Sequence, residues 1–157
     1  MKRNMPFFIL ILVLLAIDQI TKAIIAATIP FYGSVPVIPG FFALSHVRNK
    51  GAIFGIFSQT GSPLTTVLLT AASLLALGMV IFYFFKTPSS QRPMKITLTL
   101  ILAGAFGNLI DRLFRGYVVD FLEVHVKSFY WPTFNVADSC ISIGALVLVV
   151  IFLIRRS

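Results

Sequence analysis

The chain has 157 residues, 58% of them hydrophobic and only 11% charged, with a mean hydropathy of +0.97 and a single cysteine. A soluble globular domain carries about 25% charged residues, so the composition is that of a membrane protein, and one cysteine excludes an intrachain disulfide. The net charge of +8 comes largely from residues flanking apolar runs, which makes nucleic-acid binding a poor reading of the basic balance.

Four apolar runs are long enough to cross a hydrocarbon core of about 30 Å, at residues 6–27, 64–85, 96–114 and 136–154. The first follows Met1-Lys2-Arg3 and has the outline of a secretory signal peptide. Asp18 and Lys22 argue against that, since a signal-peptide core is apolar and short. An uncleaved span is expected, with Asp18 and Lys22 at i, i+4 able to neutralise each other. Residues 29–62 begin rich in Pro and Gly and become β-prone through Phe41 to Val47. Arg48-Asn49-Lys50-Gly51 comes next, and on this motif alone Asn49 beside glycine reads as a turn.

Lys86, Arg92 and Lys95 punctuate the connection between the second and third runs. They share one side with Lys2, Arg3, Arg155 and Arg156, and no acid accompanies them. The positive-inside rule makes that side the cytoplasm, with both termini inside and residues 28–63 and 115–135 outside. The third run ends Gly104-Ala105-Phe106-Gly107-Asn108-Leu109-Ile110-Asp111-Arg112. Its two glycines allow close approach of another helix. Asn108, Asp111, Arg112 and Arg115 form one polar stripe: an ion pair of Asp111 with Arg115 or Lys22 is the bland reading, whereas Asn108 and Arg112 suit an anionic or carbonyl group.

Tyr117–Val126 is again β-prone, and Phe129-Tyr130-Trp131 reads as an interfacial aromatic belt. Asn135 is a good N-cap for the fourth run, with Asp138 at the third helical position. Cys140 reads as a packing residue. His46 and His125 are isolated from any second ligand at metal spacing, so neither a metal nor a cofactor is expected. The expected fold is an all-α membrane protein, with four transmembrane helices and a small outward-facing β-rich segment and loop, as one domain over residues 1–157.

Only five acids occur, so charge near lipid is worth explaining. The topology brings Asp120 and Asp138 to the same membrane face. Two carboxylates in a partly dry pocket tend to share a proton, one acting as general base on water and the other as general acid. The positive end of the fourth helix would favour ionised Asp138 and leave the proton on Asp120. The residues alone leave two other readings open: a small ion-coupled transporter using Asp18 or Asp111, and a non-enzymatic assembly factor. A transporter would need polarity in the cytoplasmic half, yet no acid lies there.

Taken together, Asp18-Gln19-Ile20-Thr21-Lys22, Asn49-Lys50-Gly51-Ala52-Ile53-Phe54, Gly107-Asn108-Leu109-Ile110-Asp111-Arg112, Val118-Val119-Asp120-Phe121 and Phe134-Asn135-Val136-Ala137-Asp138-Ser139 closely resemble bacterial lipoprotein signal peptidase, or signal peptidase II, across essentially the whole chain. The resemblance implies an intramembrane-type aspartic endopeptidase of the bacterial inner membrane. Such an enzyme removes the signal peptide from prolipoproteins already modified by prolipoprotein diacylglyceryl transferase, and it is inhibited by globomycin. By motif, Asp120 and Asp138 would be the catalytic pair. Asn49, Gly51, Asn108, Asp111, Arg112 and Asn135 would line or order the site, with Asp18 and Lys22 in the first-helix motif. The resemblance thus turns Asn49 from turn former to site residue. Expected partners are the lipidated prolipoprotein and membrane lipids, with the enzyme itself a monomer. Gly51 and Gly55 would let an outer loop move over the site.

Overall fold

The computed structural model describes residues 2–50, 63–126 and 129–156. After one 3-10 turn, helix α1 runs Met5–Thr28, and strands β1 (Ser34–Ile38) and β2 (Phe42–Asn49) follow. Helices α2 (Pro63–Lys86) and α3 (Arg92–Arg115) lead to strands β3 (Val118–Val126) and β4 (Phe129–Tyr130), and α4 (Val136–Arg156) ends the order. Each of the four apolar runs is helical. Among the described residues, three helices are long and apolar enough to span a membrane: α1, α3 and the Val136–Ile154 part of α4.

Prolines in the first turn start α1 and α3, where a missing N–H costs nothing. Gly116 stops α3 in the left-handed region at φ 74°, its N–H closing on the Arg112 carbonyl. α1 buries one stripe, Phe7, Ile11, Asp18, Lys22 and Ile25, and exposes Ile9, Leu12, Val13, Ile17, Ile20 and Ile24. Apolar outside and charged inside is the arrangement lipid demands. α3 is the central helix, and α4 lies closest to it: a Cβ at Gly104 would collide with the Ala137 carbonyl, and one at Gly107 would sit 2.6 Å from Asp18 Oδ2. The two glycines therefore serve the close approach that their spacing suggests. Cys140, in α4, is buried.

The segments after α1 and after α3 build one small antiparallel sheet in the order β1-β2-β3-β4, as the β-prone stretches lead one to expect. Its first strand falls in the Pro- and Gly-rich stretch. Pro36 is tolerated because β1 is an edge strand. Asn49 is the last residue of β2, paired with Val118 in β3, so the local turn signal at this position loses to strand pairing. A bulge between Leu44 and Val47 brings Val47 opposite Asp120.

Two apolar clusters flank a polar layer. One joins Phe7, Ile11, Phe84, Leu98, Leu102 and Ala103 at the terminal end of the bundle; the other joins Ile25 and Ile29 to Val119 and Phe121 of the sheet. Lys95 corrects the sequence reading. It is no solvent-facing anchor but fully buried, donating to the Phe84 carbonyl and, at 3.0 Å, to that of Thr87. It thereby satisfies carbonyls that the end of α2 leaves without helical partners.

Candidate active site

Lys22 is the hub of the polar layer. Its Nζ lies 2.9 Å from Asp18 Oδ2 and 3.0 Å from Asp111 Oδ2, and it donates to Asn108 Oδ1 at 3.1 Å. Asp111 also pairs with Arg115 across one helical turn. Both alternatives for Asp111, Lys22 and Arg115, are therefore realised together. The charges stay buried because each carboxylate oxygen finds a donor.

The same two carboxylates grip the backbone beside the remaining aspartates. Asp18 Oδ1 accepts the Ala137 N–H at 2.9 Å, one residue before Asp138, and Asp111 Oδ2 accepts the Val119 N–H at 3.3 Å, one residue before Asp120. Gln19 crosslinks the layer, donating to Asp18, Asp111 and the Gly107 carbonyl and accepting from Arg115 at 3.5 Å. Sequence reasoning passed over Gln19, although its place between Asp18 and Lys22 on a lipid-exposed helix was a usable signal.

Asp120 and Asp138 are 2% and 4% exposed, so both carboxyls are nearly dry. Asn135 ties them together: its Nδ2 donates to Asp120 Oδ1 at 2.7 Å, and its Oδ1 accepts the Asp138 backbone N–H at 2.9 Å as the N-cap of α4. Asn108 donates to Asp138 Oδ1 at 2.7 Å, and Asn49 donates to Asp120 Oδ2 at 2.9 Å from the end of β2. Each aspartate is thus held by amide side chains, which fix a carboxylate without neutralising it. Arg112 lies on the exposed side of α3, one position beyond Asp111, and Gly51 and Gly55 lie outside the described residues. Among the described residues, no three His, Cys, Asp or Glu side chains converge to hold a metal. Glu123 pairs with the Ser34 hydroxyl at 3.4 Å, on the sheet surface.

Burial pushes the Asp120 carboxyl up to about 6, the hydrogen bond from Asn49 opposes the rise, and the charge on Asp138 adds to it. Asn49→Ala removes a bond to the ionised form and moves this pKa higher still. With aspartate labelled at its carboxyl carbon, NMR should show one carboxyl titrating near pH 6 in the parent and above that in the variant. An unchanged midpoint would contradict the Asn49 contact.

The signal peptidase II family model matches residues 10–154, nearly the whole of the chain just described. The chain belongs to the signal peptidase II family. Within this family it is 43% identical to the lipoprotein signal peptidase of Syntrophus aciditrophicus, over 96% of this chain and 94% of the relative, and 42% identical to that of Geobacter metallireducens, over 94% and 91%. The fold is similar to a bacterial membrane enzyme solved by the in meso method, with a TM-score of 0.84 and 31% identity over 97% of this chain and 90% of that one. A second such structure gives 0.80 and 32% over 94% and 92%. As a member of this family, the chain is a multi-pass membrane peptidase.

Proposed function

We propose that this peptidase is an aspartic endopeptidase that cuts diacylglyceryl-modified prolipoproteins immediately before the lipidated cysteine, with Asp120 and Asp138 activating one water. The observation that carries this reading is the link through Asn135, which bonds the Asp120 carboxyl and the Asp138 backbone N–H and reaches at 3.3 Å the Asn108 amide that holds the Asp138 carboxyl, with both carboxyls nearly dry. The positive end of α4 favours the ionised form of Asp138, which therefore acts as the base, and Asp120, with its raised pKa, carries the shared proton. Asp138 takes a proton from water as its oxygen attacks the scissile carbonyl carbon, while Asp120 protonates the carbonyl oxygen. On collapse, Asp138 gives its proton to the leaving nitrogen, the C–N bond breaks, and Asp120 recovers a proton from the intermediate's hydroxyl.

The remaining assignments follow the same reading. α2 is the fourth membrane span, the chain is one domain, and it works as a monomer in the bacterial inner membrane. Both termini are cytoplasmic, with Asp120 and Asp138 toward the outer face, where the lipid anchor of the substrate lies. The enzyme acts after diacylglyceryl transfer. The ion-coupled transporter loses support because Asp18 and Asp111, its coupling groups, are both locked onto Lys22. Purified protein is expected to cleave a prolipoprotein bearing the diacylglyceryl group and to leave its unlipidated form intact, as read by mass spectrometry of the products. Equal cleavage of both forms would remove the lipid requirement.

A further inference from the structure

The end of the bundle opposite the aspartates carries a feature that peptide cleavage does not use. A cleft of about 680 Å³ opens between the start of α1 and the α2–α3 turn. Phe7 and Ile96 give it apolar walls, and Arg3, Arg92, Ser89 and Ser90 give it a basic and hydroxylic rim. The turn is held tight by Gln91 N–H to the Pro88 carbonyl at 3.0 Å and Arg92 N–H to the Ser90 carbonyl at 2.9 Å, which keeps the serines and Arg92 together.

Three independent facts give this cleft a need for negative charge. Every Asp and Glu of the chain lies at residue 18 or in the stretch from 111 to 138, so no acidic side chain stands at this end to pair with Arg3 or Arg92. α1 and α3 both begin here without a side-chain cap and without an acid in the first turn, leaving the positive ends of two helix dipoles uncompensated. Lys95 lies behind the apolar wall, its Nζ 4.0 Å from the Phe84 ring and 6.0 Å from the Phe7 ring, fully buried and, among the described residues, held by two neutral carbonyls with no carboxylate partner. A buried ammonium with hydrogen bonds but no counter-charge attracts an anion from outside.

We infer that this cleft binds the phosphate headgroup of an anionic phospholipid, with the phosphodiester on Arg3, Arg92 and the two serines and the start of an acyl chain along Phe7 and Ile96. A basic rim beside an apolar wall at the end of a membrane helix bundle fits a lipid, whose charge and tail are covalently joined, better than a soluble ion. The assignment to the cytoplasmic leaflet rests on the orientation proposed above; the binding itself does not.

The test is native mass spectrometry of the purified full-length protein in detergent, with equal amounts of phosphatidylglycerol or phosphatidylcholine added. The parent should retain one phosphatidylglycerol in preference to phosphatidylcholine. The double variant Arg3→Gln, Arg92→Gln should lose about 10- to 30-fold of that preference. Both arginines are exposed, so its melting temperature in neutral detergent should equal the parent's. Lys86→Gln, a charge removed at the same end but outside the cleft, should keep the preference, and inorganic phosphate at the same concentration should not compete. Any of four results overturns the proposal: no preference in the parent, an unchanged preference in the double variant, an equal loss in Lys86→Gln, or full competition by inorganic phosphate.

Discussion

Asp120→Asn and Asp138→Asn are each expected to lower kcat on a lipidated prolipoprotein by about a thousandfold or more, with the protein still folded. An amide is nearly isosteric with the carboxyl but can neither take a proton from water nor hold the shared one. Because the two groups act as a unit, the double variant should be about as inactive as either single variant rather than a further thousandfold worse. Stability separates this from a merely structural role. Asp120 has a folded pKa of about 6, above its ordinary 3.8, so the native state binds the proton more tightly than the unfolded state. The stability that proton contributes is fully present at low pH and is lost as pH rises through the window from about 4 to about 6, by on the order of 3 kcal/mol. Asp120→Asn has no such loss. The melting temperature of the variant minus that of the parent should therefore grow between pH 4 and pH 7, and a difference that shrinks would contradict the assignment.

Lys22→Met should destabilise the protein by about 3–5 kcal/mol, because it leaves the buried Asp18 carboxylate with no cation and Asp111 with Arg115 alone. The same substitution removes the donor to Asn108, which holds Asp138, so activity should fall further than stability alone explains. Equilibrium unfolding in detergent measures the first effect. Adding Asp18→Asn to Lys22→Met should restore part of the lost stability, since it removes the uncompensated charge; the coupling is read from the double-mutant cycle. Full stability in Lys22→Met would show that the layer is not held by its charges.

Much of this arrangement was legible in the residues because lipid makes charge conspicuous. The positions of Asp18, Lys22, Asn108 and Asp111 stand out on helices that are otherwise apolar, and the Asn135 cap was readable from its spacing to Asp138. Strand pairing was less legible. Asn49 carries a local turn signal, and only its ladder with Val118 puts its amide on Asp120. Lys95 misleads for a related reason: a lysine near a run of basic residues reads as a membrane anchor, whereas its place depends on where α2 ends and which carbonyls are left open. The backbone bonds from Ala137 to Asp18 and from Val119 to Asp111 have no sequence signature at all, since any residue supplies the N–H.

The most direct test of the shared-proton pair is the pH dependence of kcat/KM for a lipidated prolipoprotein. The mechanism predicts a bell, with an acid limb where Asp138 becomes protonated and an alkaline limb near pH 6 where the pair loses its one proton. A profile that stays flat between pH 4 and 9, or that shows only one limb, would contradict the account.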